Sequence, residues 1–130
     1  MGRKYLEDIG FNNTPDTFNA GANDEREEKW KNEREVFGFD ERETWNLDST
    51  FYIWLYERLK MYLDVTIVDL DYHKFDYNGK EYTQRQMIDM MLERLETALT
   101  DEYYDLNDEK YQYVHEIEKI WSIVLPAMWW

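Results

Sequence analysis

Two histidines, a surplus of carboxylates and a high tyrosine content are the features of this chain with chemical potential, and spacing decides which chemistry survives. Asp69, Asp71 and His73 alternate, so on a strand they would offer two oxygen ligands and one nitrogen ligand from one face. That pattern admits a small metal-dependent enzyme; the structural alternative is a solvent-facing strand edge whose charges block edge-to-edge pairing. A di-iron Glu-x-x-His motif would need Glu at positions 70 and 112, which are Leu70 and Gln112. His115-Glu116 opens like a zinc-protease helix, but position 119 holds Lys119 in place of the second histidine. Cysteine is absent, Ser49 and Ser122 have no adjacent histidine, and no Gly-rich loop is present to cradle phosphate. The expectation is a non-enzymatic protein with no catalytic residue, metal site or cofactor.

What remains is charge. The net charge is −14, a field that repels nucleic acid and anionic membranes and argues against direct binding to either. Half of it comes from residues 89–109, where eight carboxylates (Asp89, Glu93, Glu96, Asp101, Glu102, Asp105, Asp108 and Glu109) face one base, Arg94. Within Thr100–Tyr113, TDEYYDLNDEKYQY, carboxylates and tyrosines interleave. One reading is an inter-helix loop whose Asn107 and Asp108 cap the next helix. The other is a surface offering carboxylates and tyrosine hydroxyls to a basic groove, the converse of phosphate recognition, as a DNA mimic does. The candidate partner-binding residues are Asp101, Glu102, Tyr103, Tyr104, Asp105, Asp108 and Glu109, flanked by Glu93 and Glu96.

The elements that must position these residues follow from periodicity. Asn23, an acidic first turn and Gly38 predict a solvated helix over 24–36, anchored by Trp30, Val36 and Phe37 and braced by Glu25/Lys29, Glu27/Lys31 and Glu27/Arg34. Asp40 and Glu43 form a start signal before a central helix over 47–63, with Leu47, Phe51, Trp54, Leu55, Leu59 and Tyr62 on its core face. Tyr52, Ile53 and Tyr56 widen that face. Alternation over 66–82 and the Asn78-Gly79 pair predict a small β-hairpin packing through Phe75, Tyr77 and Tyr82. Thr83 and Gln86 make a capping box for a helix over 84–99. A last helix over 108–125, with Tyr111, Val114, Ile117, Trp121, Val124 and Leu125 on one face, stops near Pro126. Trp129 and Trp130 then cap the core or contact a partner, capping being the favoured alternative. The fold class is thus mainly α, a bundle of about four helices with one hairpin.

With 130 residues the chain fits one domain, here 23–130, preceded by an arm over 1–22. Hydrophobic residues at 43% and aromatics at 18% are enough for a real core. The lack of cysteine suits a cytosolic setting. No stretch resembles a signal peptide or membrane span, and Leu6 stands where a myristoylation signal wants Ser or Thr.

The segments WNLDSTFYIWLYERLKMYLDV and HKFDYNGKEYTQRQMIDMMLERLE, with the ending LPAMWW, resemble small phage- and prophage-encoded proteins of Gram-positive bacteria over roughly residues 37–130. That family carries no established activity. The resemblance implies action in a bacterial host cytoplasm, and by analogy an inhibitor of host defence, such as an anti-CRISPR protein. The leading expectation is therefore an inhibitor that holds a host protein with a basic surface, a nucleic-acid-binding defence nuclease being one such partner. The alternative class is an assembly protein whose aromatic surfaces, including Tyr52, Tyr56, Trp129 and Trp130, form oligomers, with a homodimer as one open arrangement.

Overall fold

A computed structural model describes residues 25–45, 47–100 and 108–129. The arm over 1–22 and the helix cap expected at Asn23 lie outside those residues. Glu27 and Glu28 occupy the first turn of α1 (Glu27–Phe37), where the helix dipole favours carboxylates. Gly38 ends the helix in the left-handed conformation, φ 86°, and its N–H donates to the Arg34 carbonyl. Of the expected anchors, Trp30 is buried, whereas Val36 and Phe37 are exposed. Among the described residues, charged groups and one ring surround Trp30. The Arg26 and Arg42 guanidiniums lie 4.9 and 4.6 Å from its ring centre, Trp45 meets it edge-on at 5.7 Å, and its indole N–H donates to Glu41 at 2.9 Å. The Glu27–Arg34 pair forms at 3.1 Å, but Lys29 reaches Glu41 at 3.0 Å instead of Glu25.

The start signal at Asp40 and Glu43 opens a separate 3-10 turn, Glu41–Thr44, not the central helix. Buried Asp40 accepts the Arg42 backbone N–H at 2.9 Å, the Arg42 side chain at 3.0 and 2.8 Å, and Arg34 at 2.7 Å. The Arg42 hydrogen bonds pull its carboxyl down to about 2 against the upward push of burial, and Arg34 adds to the effect. This cluster ties α1 to the turn. Thr50 Oγ1, in the first turn of the next helix, donates to the Glu43 carbonyl at 2.7 Å and carries the link onward.

The central helix α2 (Leu47–Val65) buries Tyr52, Leu55, Tyr56 and Leu59 at three- and four-residue spacing, with Ile53 beside them. Its buried face is rotated from the expected one: Leu47 and Trp54 are exposed. Apolar residues run so far round this helix that periodicity defines two stripes, and packing against the later helices selects the tyrosine-bearing one. Trp54 instead lies on the surface beside Phe51, stacked at 6.4 Å, and the Arg58 guanidinium at 4.8 Å.

Strand β1 (Lys74–Tyr77) pairs antiparallel with β2 (Lys80–Thr83), Tyr77 opposite Lys80, around the expected two-residue turn. Asn78 and Gly79 both have positive φ, 52° and 80°. Tyr77 is buried, and Phe75 and Tyr82 pack partly buried against the core, as the alternation predicts. The alternation at 69–73 is not strand. Asp69 Oδ1 accepts the Asp71 N–H at 3.0 Å, closing an Asx turn ahead of β1.

That turn serves the next helix, α3 (Gln84–Thr100). Leu70 and His73 carbonyls accept the N–H groups of Arg85 and Gln84, while Thr83 and Gln86 form the reciprocal capping box at 2.8 and 3.2 Å. α4 (Asp108–Val124) packs along α3, and a 3-10 turn, Leu125–Ala127, takes up Pro126. Leu55, Leu59, Met87, Met91, Leu95, Ile117 and Ile120 form the centre of one core shared by α2, α3, α4 and the hairpin. Gln84, fully buried, donates to Tyr62 Oη and to the Ala127 carbonyl, both at 3.4 Å, and links three elements at one end of the bundle.

Two outcomes follow from this architecture. Asp40's folded value lies below its ordinary 3.8, so it stabilises the protein above about pH 4 and the contribution disappears as pH falls towards 2. Asp40→Asn should cost about 2 kcal/mol at pH 7 in urea denaturation and flatten the acid limb between about pH 4 and 2. Gly79→Ala should cost about 1 kcal/mol although a Cβ there meets nothing within 4 Å, because the cost is conformational.

Candidate functional site

The acidic window divides among three places. Asp101, Glu102, Tyr103, Tyr104 and Asp105 lie outside the described residues. Asp108 begins α4, its side chain also outside them, and Glu109 follows it, exposed to solvent. Glu93 and Glu96 stand on α3, and helical spacing aligns them with Asp89 along one face. Asp89 and Glu93 are exposed; Glu96 is half-buried and lies 3.4 Å from the Tyr56 hydroxyl on α2. The Asp89 carboxyl is pushed up from its ordinary value, mainly by desolvation against the helix surface around it, with Arg85 opposing and Glu93 adding to the shift.

Arg94, the one base of the window, does not neutralise this row. Its Nη1 donates to the Met90 carbonyl at 3.0 Å, and its guanidinium lies 4.5 Å from the Tyr113 ring centre on α4. Its Nε is buried without a partner. The cation thus closes the α3–α4 seam through an aromatic face and a backbone oxygen.

On α4, His115 Nδ1 lies 3.0 Å from Glu118 Oε2, and Glu118 Oε1 accepts the buried Tyr52 hydroxyl at 2.9 Å. A carboxylate orienting an imidazole is half of a general base. The serine on the same helix does not complete it, since Ser122 Oγ donates to the Lys119 carbonyl at 2.8 Å. Asp71 pairs with Arg85 at 3.2 Å, and among the described residues no three His, Asp or Glu side chains group to hold a metal ion.

The aromatic surface expected for assembly is partly dismantled. Tyr52 and Tyr56 are buried in the core. Trp129 is 73% exposed and does not cap the core; Met128 packs there instead, after the 3-10 turn redirects the chain. Trp130 lies outside the described residues. Trp121 packs partly buried against the core.

Sequence reasoning missed the Tyr52–Glu118 bond and the buried Gln84. A tyrosine inside an apolar stripe does carry one signal, because its buried hydroxyl needs a partner. Which of many carboxylates supplies it depends on helix rotation. No family model matches the chain, and neither a curated protein nor a solved structure matches it. No helix of the described residues is long and apolar enough to cross a membrane.

Tyr52→Phe should lower stability by about 1.5–3 kcal/mol, the worth of a hydrogen bond to a charged acceptor. In a urea double-mutant cycle with Glu118→Gln, the two losses should be less than additive.

Proposed function

We propose that this chain is a non-enzymatic, phage-encoded inhibitor that binds a basic surface of a host protein through its acidic face. The proposed contact residues are Asp89 and Glu93 on α3 and Glu109 on α4, together with Asp101, Glu102 and Asp105, which lie outside the described residues. The observation that carries the reading is the engagement of Arg94 with Tyr113 and Met90, which leaves the outward carboxylates of α3 without its charge. A nucleic-acid-binding defence nuclease is the partner class such a face suits, because arginines and lysines set out for phosphates also accept carboxylates. The phage context rests on the likeness of the 37–130 segments, and the anti-CRISPR analogy on that context. An assembly role through Tyr52, Tyr56, Trp129 and Trp130 has less support, since Tyr52 and Tyr56 are buried and Trp129 alone of the four is exposed among the described residues. A metal enzyme at Asp69, Asp71 and His73 has less still, since these residues occupy a turn before β1.

Pull-down from a host lysate with the tagged chain tests the reading. One basic nucleic-acid-binding protein should be captured at low salt and lost as salt rises, because screening weakens charge-driven association. Glu93→Lys combined with Asp101→Lys, Glu102→Lys and Asp105→Lys should abolish capture. Absence of capture at low salt, or capture indifferent to these changes, overturns the proposal.

A further inference from the structure

A second surface, on α1, has the opposite design to the acidic face. Its centre is apolar: Val36, Phe37 and Phe39 are 74%, 65% and 48% exposed, although each would gain by burial. Phe37 and Phe39 lie against each other with ring centres 6.1 Å apart. Val36 and Phe37 line a shallow groove of about 550 Å³ along α1, and Phe39 lines a smaller hollow of about 240 Å³ that adjoins it across Phe37 and Glu33. Carboxylates rim the groove. Glu25 and Glu28 have no ion-pair partner among the described residues, and Glu33 uses one oxygen to accept the Glu41 N–H at 3.1 Å. The one lysine in the lining, Lys29, is already paired with Glu41.

We propose that this α1 groove docks a cationic amphipathic segment of a partner protein, bulky apolar side chains on Val36 and Phe37 and lysines or arginines against Glu25 and Glu28. Charge selects the occupant. A second copy would bring the same carboxylate-rich lining against itself on a chain of net charge −14, which like-charge repulsion disfavours. A neutral apolar segment would leave the rim carboxylates partly desolvated and unpaired. α1 is 11 residues long, about 16 Å at helical rise, so a partner helix of about three to four turns matches it. The groove is a different surface from α3, and the two proposals stand or fall separately.

Calorimetric titration of the full chain with a synthetic helical peptide of leucines and lysines, about 14 residues long, tests the inference. Val36→Asp with Phe37→Ser should weaken binding about tenfold or more, as loss of a central apolar anchor does. Glu25→Lys with Glu28→Lys should weaken it and reduce its salt dependence. Glu81→Lys, exposed on β2 and outside both surfaces, should leave it unchanged. Far-UV circular dichroism checks that each variant folds, and Val36→Ser serves as a milder substitute read in the same way. Equal loss with Glu81→Lys would mean diffuse acidic attraction and overturn the proposal. So would binding indifferent to the α1 variants, or a concentration-dependent dimer abolished by Val36→Ser.

Discussion

The Tyr52 hydroxyl bonded to Glu118 is the interaction around which the arrangement of the bundle turns. Packing acidic helices against a central one brings carboxylates to the seams, where each must be neutralised, hydrated or bonded. Tyr52 meets that requirement with a donor that brings no positive charge, and Tyr56 extends a longer contact to Glu96 on the other helix. α2 therefore holds α3 and α4 partly through their own carboxylates. Arg94, directed to Tyr113, completes the α3–α4 seam in a way that also spares the exposed row. The seams are closed by these contacts while the chain keeps its strongly negative net charge.

The α1 region solves a separate problem. Trp30 is fully buried yet sits apart from the main core cluster, between two guanidiniums and above a bidentate Asp40–Arg42 pair. Breaking such a buried pair leaves an uncompensated charge, so this unit tolerates surface variation better than loss of either partner. It leaves Val36, Phe37 and Phe39 with little to cover them. The protein therefore carries one surface set by charge and another set by apolar exposure.

Local signals in the sequence transmitted well. The Asn78-Gly79 turn, the Thr83/Gln86 box, the Gly38 stop and the Pro126 break each involve residues within a few positions of one another, and each produces its expected geometry. Signals depending on tertiary context did not. Around α2 the apolar stripe was legible, but the choice between the Trp54 and Tyr56 sides needed the neighbouring helices. The Asp40 signal was a true N-cap that began a different element, since capping chemistry does not specify helix length. Alternation at Asp69, Asp71 and His73 imitated a strand because Asx turns also place polar residues two apart. For the candidate site, the positions of Glu93 and Glu96 on one helix were readable, whereas the engagement of Arg94 depends on where α4 lies.

The central claim is that Arg94 is turned away from Asp89 and Glu93, which leaves these α3 carboxylates for a partner to use. Asp89 and Glu93, one helical turn apart, should then repel each other in the free protein, with a cost of a few tenths of a kcal/mol. The direct measurement is the urea midpoint of Asp89→Asn/Glu93→Gln against the native chain at low and high salt. A higher midpoint for the variant at low salt, converging with the native chain at high salt, is the result the account predicts. A lower midpoint at low salt would contradict it, because it would show that these carboxylates stabilise the fold.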